Sequence, residues 1–439
     1  MSKTRLQPIN QPIFWAGVDY FYSWGFVSLA QSGLLANFHL ICLEEHDFLD
    51  EWRRQGIDIF CLEKEEKKLK NFPRNTGHLL SCPKVWQFIK KKSEGEQPAI
   101  AFFKPSPKID WMANNKGWKL LGNNSRISRS LENKTSFFKE ASKFNWPVFS
   151  GEIIQYDLFG FSRLANAWGL PFVAQTSYGW AGKSTYLIKS KKDWLKLGDK
   201  KGAEVKISRY YSGPTLINNA CVLKNGVVLV SPLARQINGF NFLSKNPFSS
   251  CGRVWTKEKN KQLEKEAYLL SKKVGTELYK KGYRGFFGLD FLFAEGKLYL
   301  LEINPRFTSS FVFYHFLEKE QDLVSLLEWH VLSFLDLKEK EEIITNPNGH
   351  SFSGAELIQR NIWGGKLKLT ELLKTQKLPK LCPSFPKRGD YNIFYPSLGK
   401  EIKCEDECFR VSTRESIIGQ KGEIRRKILE IRNSFFKNG

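Results

Sequence analysis

The stretch GYRGFFGLDFLFAEGKLYLLEINPRF, residues 282–307, decides how this chain is read. It divides into two strands, Phe286–Phe293 and Leu298–Ile303, about the turn Ala294-Glu295-Gly296-Lys297. With Gly296 as the pivot of an antiparallel hairpin, residues equidistant from it face each other, and Asp290 falls opposite Glu302 on one face. Carboxylates directly opposed across a ladder repel, so a sequence that keeps both is expected to supply a cation between them. Asn304 continues the face of Glu302, and its partner position, Gly288, has no side chain and leaves space. Two carboxylates and an amide are oxygen ligands of the kind Mg²⁺ takes, with its remaining positions left to water and phosphate oxygens. Arg306 follows on the same alternation as a planar cation suited to phosphate or carboxylate. An amphipathic hairpin with a wet face does not explain why acidic residues interrupt the apolar strands only where they oppose each other.

The pattern GxxGxDF, a turn and LLEINPRF resembles the metal-binding signature of the ATP-grasp ligases. The resemblance implies that Asp290, Glu302 and Asn304 hold Mg²⁺, with Mn²⁺ as an alternative, on ATP. It also implies that Arg306 contacts phosphate or an acyl-phosphate intermediate, so that Asn304 and Arg306 are the catalytic candidates.

Upstream, residues 128–150 read as a helix with a Pro-marked exit, and the resemblance places a phosphate-binding lysine at Lys134, preceded by Asn133. A lysine near a helix N-terminus opposes the helix dipole, which favours a functional reason over a surface one. In PFVAQTSYGWAGKSTYLIKS, residues 171–190, GKST is not a Walker A loop: Ser177 stands where a glycine is required, and TYLIKS is a strand former rather than a helix start. Strand, Gly-containing loop and strand resemble instead the flap that covers triphosphate. Gly179 and Gly182 would admit phosphate oxygens close to backbone N–H groups, and Ser177, Lys183 and Ser184 are further donors. Family members often carry Lys where Gln175 stands; glutamine brings no charge, so Lys183 or Arg235 is expected to compensate.

Residues 203–237 predict three strands with turns at Ser212-Gly213-Pro214 and Lys224-Asn225-Gly226, the Asn-Gly pair being a strong hairpin signal. By resemblance, Ser208, Arg209, Tyr210 and Tyr211 form the hinge along the adenine edge, although Glu is common where Ser208 stands. Residues 257–282 predict one long amphipathic helix, and the segment after Phe307 is helical as far as Asn346-Pro-Asn-Gly. His315 and His330 sit on helical faces as packing or surface residues.

Strand and helix alternate through the first third, which argues for a parallel sheet covered by helices, without a GxGxxG fingerprint. The expected fold is α/β: a Rossmann-like parallel-sheet pre-domain (1–125), ATP-grasp subdomains at 126–207 and 208–345, and a small α+β tail (346–439) with no nameable motif. The uncharged segment Tyr20–Leu43 contains Gln31, Asn37 and His39 and reads as helix plus strand (Ser23–Leu35, Phe38–Leu43), so no membrane span and no secretory signal are expected. Eight scattered cysteines without a CxxC pair suit reduced thiols and a cytoplasmic location. The net charge of +23 is spread through runs mixed with acidic residues, so nucleic-acid binding is a lesser alternative.

The combined expectation is an ADP-forming ligase that converts a carboxylate to an acyl phosphate and joins it to an amine, both small molecules. A bicarbonate-activating carboxylase and a non-catalytic ATP-binding module are the alternatives, and an oligomer is compatible with all three.

Overall fold

The computed structural model describes residues 6–66, 69, 72–179, 182, 184–256, 260–335, 345–372, 390–397, 400–419 and 423–435. Its first layer is a parallel five-stranded sheet in the order β3-β2-β1-β4-β5, with β1 Ile13–Gly17, β2 Phe38–Cys42, β3 Asp58–Cys61, β4 Ala99–Phe102 and β5 Lys119–Leu121. The central strands are buried and, apart from His39 in β2, apolar, as parallel strands covered on both faces require. Helices such as Trp24–Gln31, Asp47–Arg54 and Pro107–Lys116 make the crossovers. The expected helix Ser23–Leu35 ends at Gln31, where Gly33 takes a left-handed φ of 81°.

A four-stranded antiparallel sheet follows in the order β6-β9-β7-β8, from β6 Gly151–Gln155, β7 Phe172–Thr176, β8 Thr185–Ile188 and β9 Glu204–Arg209. The GKST segment does enter a strand. Lys183 lies outside the described residues.

The largest sheet comprises β10 Thr215–Val222, β11 Val228–Val230, β12 Ala234–Gln236, β13 Gly252–Trp255, β14 Gly285–Ala294, β15 Lys297–Asn304, β16 Gly354–Arg360, β18 Tyr391–Phe394 and β20 Glu407–Thr413. Its order is β15-β14-β10-β12-β13-β16-β20-β18, with β11 on β10. The segment 203–237 thus holds four strands rather than three, because Pro232 ends one short strand before Ala234 begins another. Strands from beyond residue 346 extend the same sheet as the 285–304 hairpin, while β17 Lys366–Lys368 and β19 Glu401–Lys403 pair separately. The long helix runs Lys261–Lys280 and buries Leu263, Ala267, Val274 and Leu278 against the sheet; residues 257–259 of the expected helix lie outside the described ones.

The predicted single helix over 128–150 is two helices, Ser125–Glu132 and Lys134–Lys143. Asn133 breaks the run: its side chain accepts from the Ser136 N–H at 2.9 Å and caps the second helix. His315 and His330 are packing residues. His315 lies between Ser28 and Ser325 hydroxyls, and His330 accepts from the Phe286 N–H; burial lowers their pKa values to about 3 and about 4. No disulfide joins cysteines of the described residues, and no described helix is long and apolar enough to cross a membrane.

Candidate active site between the sheets

The 285–304 hairpin turns through Glu295 and Gly296, both at positive φ (51° and 74°), the backbone of a two-residue hairpin turn. The pairing nearest that turn, Ala294 with Lys297 through Phe291 with Leu300, would by itself bring Asp290 opposite Leu301. A bulge at Leu301 shifts the register by one, and Asp290 pairs with Glu302, Leu289 with Ile303 and Gly288 with Asn304. The opposed carboxylates expected from the sequence are therefore present, but the bulge puts them there and not a pivot on Gly296. The bulge also turns Leu301 and Glu302 both into the cavity, while Leu300 and Ile303 stay in the core. The space expected beside Gly288 is filled: a Cβ there would lie 2.3 Å from the Thr308 methyl.

Above the hairpin lies a cavity of about 1030 Å³ enclosed by the four-stranded and the large sheet. Lys134, the first residue of its helix, reaches Glu302 with Nζ 2.8 Å from Oε2. Asn304 donates to Glu302 at 3.3 Å. The Arg306 guanidinium donates to Glu132 at 2.8 Å and to the Asn304 amide oxygen at 3.2 Å. Lys104 closes the chain on Glu132 at 2.7 Å. The break at Asn133 thus sends Glu132 and Lys134, from two different helices, to Arg306 and Glu302 at the end of the hairpin.

Burial would raise the pKa of Glu302, but Lys134 overcomes it and holds the carboxyl well below the ordinary range. Asp290 moves the other way, pushed up by burial and by the facing Glu302. Two opposed carboxylates at the cavity floor, one driven towards protonation by the other, with an amide oxygen alongside, are a donor set a hard divalent cation fits. Among the described residues no group of three His, Cys, Asp or Glu side chains could hold a metal, so a cation here would keep water or ligand oxygens in its shell.

Gln175 lines the cavity and, among the described residues, its side chain hydrogen-bonds within its sheet, to Thr185 at 3.2 Å. The charge expected from Arg235 is not there: Arg235 pairs with Leu216 on the opposite face, exposed, and does not line the cavity. Lys206 supplies it instead. It stands directly beside Gln175 in the ladder, 5% exposed, its ammonium 5.0 Å from the Phe138 ring. Burial, reinforced by Lys134, lowers its pKa to about 8. A period-2 reading of EVKISR, with Lys206 on the face of Ser208, was the signal that could have found it.

Gly179, Gly182, Ser208, Arg209, Tyr210 and Tyr211 line the cavity. Ser177 and Ser184 do not. The Ser177 carbonyl accepts from the Lys134 N–H at 2.9 Å and ties the flap to the helix, while Ser184 packs beneath Gly179, where a Cβ would sit 2.3 Å from its own. Phe149 stacks on Tyr211 at 4.5 Å and 7°, and with Val173, Leu187, Leu292 and Leu301 makes a flat apolar slot beside the hinge.

The sequence model of the ATP-grasp domain matches residues 171–310. No curated protein sequence matches the chain. Among solved structures it is similar to N5-carboxyaminoimidazole synthase of Aspergillus clavatus in complex with ADP and 5-aminoimidazole ribonucleotide (TM-score 0.63, 12% identity, 97% of this chain and 99% of that one). It is also similar to the biotin carboxylase domain of Hydrogenobacter thermophilus 2-oxoglutarate carboxylase with MgADP and bicarbonate (0.62, 13%, 93% and 87%). Biotin carboxylase of Campylobacter jejuni is comparable (0.62, 13%, 92% and 88%). The chain therefore carries an ATP-grasp domain within an ATP-grasp fold.

Proposed function

We propose that this protein is an ATP-dependent, ADP-forming ligase that phosphorylates a substrate carboxylate and joins the acyl phosphate to an amine. The observation that carries this reading is the convergence on one cavity floor of Asp290, Glu302 and Asn304 with Lys134, Lys206 and Arg306. Asp290, Glu302 and Asn304 would hold Mg²⁺, which when bound spreads the negative charge of the triphosphate. Lys134, from the start of its helix, and Lys206, from the four-stranded sheet, reach phosphate oxygens. The slot between Phe149 and Leu301 takes the base, with residues 208–211 along its edge. Arg306 orients the acceptor carboxylate, whose oxygen attacks the γ-phosphorus as the bond to the β-phosphate oxygen breaks. An amine then attacks the acyl carbon and releases phosphate. The flap around Gly179 and Gly182 excludes water, which would otherwise hydrolyse the mixed anhydride.

A bicarbonate-activating reaction is the second reading, supported by the fold shared with the A. clavatus synthase and the biotin carboxylases. ADP release over pooled amino acids, other carboxylates and polyamines, with Glu302→Gln as the blank, tests the proposal. Bicarbonate-dependent release in the absence of any other acid identifies the second reading. ATP binding without ADP formation in every mixture overturns catalysis altogether.

A further inference from the structure

The flap between β7 and β8 touches the large sheet through the loop 237–251, which connects β12 to β13. Asn246 of that loop donates its Nδ2 to the Gly182 carbonyl at 3.0 Å. Its Oδ1 accepts from the Phe248 N–H at 3.0 Å, an Asx turn with Pro247 at the bend. These partners fix the amide's orientation, since the Phe248 N–H can only donate and the Gly182 carbonyl can only accept. The approach is close. Gly182 has a φ of 76°, and a Cβ there would lie 2.7 Å from the Phe248 carbonyl carbon and oxygen. Glycine is what lets the flap lie backbone against backbone on this loop. On the other side the Ser177 carbonyl accepts from the Lys134 N–H, so the flap is tied both to the phosphate-side helix and to the facing sheet.

With Asn241, Lys245 and Pro247 exposed, the loop would be a soft anchor by itself. The chain beyond residue 346, outside the matched residues 171–310, stiffens it. The Arg360 N–H donates to the Leu243 carbonyl at 3.0 Å, and the Gln359 and Arg432 side chains donate to the Phe242 carbonyl at 3.0 and 3.2 Å. Strands β13, β16 and β20 bring Arg253, Arg360 and Arg410 to this end of the cavity. Arg253 and Arg410 close on Glu356 and Glu407, whereas Arg360 serves the loop, donating to the carbonyls of Ser250 at 2.7 Å and Glu405 at 3.1 Å. Glu405 holds the tip. Its carboxylate accepts from the Lys245 N–H at 2.8 Å and from the Ser244 hydroxyl, which in turn accepts from the Asn246 N–H at 3.1 Å. Glu405 has a φ of 64°, a left-handed backbone that glycine enters without cost, so the position keeps a glutamate against its conformational preference.

We propose that Asn246 is the latch of the phosphate flap and that Glu405 holds the latch in place. Both are positioning residues, and through them the tail beyond residue 346 sets how long the flap stays shut over the nucleotide. A flap that opens less often releases nucleotide more slowly and keeps water from the acyl phosphate. This rests on the reading of the cavity as the phosphoryl-transfer centre.

Two measurements on the full chain test it. Hydrogen exchange without nucleotide is read at the Thr176 and Thr185 amides, which donate to the Ser184 and Gly182 carbonyls of the flap. Dissociation of a ribose-labelled fluorescent ATP with Mg²⁺ is followed by stopped flow. Asn246→Asp keeps the acceptor for the Phe248 N–H but sets a carboxylate against the Gly182 carbonyl. It is expected to speed flap exchange and nucleotide dissociation by about 10-fold each, with exchange in the loop as in the parent. Glu405→Ala is expected to speed exchange in loop and flap together, and Glu405→Gln less so. Unchanged flap exchange in Asn246→Asp, unchanged dissociation despite faster exchange, or a loop loosened as much as the flap overturns the proposal. So does a Glu405→Ala variant whose loop loosens while the flap keeps the parent's rate. If the parent binds no nucleotide but the exchange contrast stands, the ligase reading falls and the latch remains.

Discussion

The two halves of the 285–304 hairpin are one ladder in two registers. Near the turn, Glu295 and Gly296 hold a tight two-residue reversal and the strands pair in strict alternation. Near the site, one extra residue, Leu301, displaces the pairing and lets the ladder present an apolar side chain and a carboxylate next to each other on the cavity face. The turn half stabilises the hairpin, and the bulged half gives up one rung of the ladder to crowd the candidate site residues onto one face. If this division of labour is right, substitutions in the two halves should have separable consequences.

Glu302→Gln should have the largest effect. It removes the charge that pairs with Lys134 but keeps the shape, so ADP formation should fall by about 10³-fold with little change in Tm. Retained turnover would sink the assignment of this half. Deletion of Leu301 is the direct test of the bulge. It restores plain alternation and keeps Glu302 opposite Asp290, but strips one wall from the base slot. The KM for ATP should rise by about 10- to 100-fold while Mg²⁺-dependent turnover persists, and an unchanged KM would separate the bulge from nucleotide binding.

Lys206→Met extends the comparison to the facing sheet. The folded-state pKa of about 8 lies below the 10.5 of a free lysine, so the unfolded chain binds more protons between those values. Stability of the nucleotide-free protein should therefore rise as the pH increases through about 8 to 10.5. The methionine variant should be more stable at neutral pH by about 3 kcal/mol, lose that pH dependence, and bind ATP about 10-fold more weakly. Unfolding midpoints at pH 7 and 10 check the sign; a variant less stable than the parent at pH 7 would contradict it. The smallest effect belongs to the turn. Gly296→Val forces a branched side chain into a φ of 74° and should cost about 1–2 kcal/mol of stability with ATP turnover per folded molecule unchanged.

Much of the site was legible because short-range rules govern it. Period-2 alternation and a glycine-bearing turn put Asp290, Glu302 and Asn304 on one face before any coordinates, although the assumed pivot reached that pairing without the bulge that makes it. Strand propensity excluded a Walker loop at Gly182, and the Asn225-Gly226 turn joins β10 and β11 as its type demands. What escaped depends on which strand lies beside which. Lys206 reads as one more charge in a strand until the ladder sets it beside Gln175. Arg235 looks like a phosphate ligand until its partner Leu216 turns it to the other face. Arg253, Arg360 and Arg410 come from three segments that only the sheet order makes neighbours.

The sequence by itself determined the hairpin and the order of α/β elements, since alternation, turn chemistry and burial act within a few residues of each other; the pairing of the carboxylates needed the bulge as well. Tertiary structure alone decided that the chain beyond residue 346 joins the hairpin's own sheet, and that Glu132 and Lys134 diverge from a capped break to Arg306 and Glu302. Those outcomes rest on strand pairing and desolvation between distant segments, where no local pattern specifies the partner and the whole packed sheet selects it.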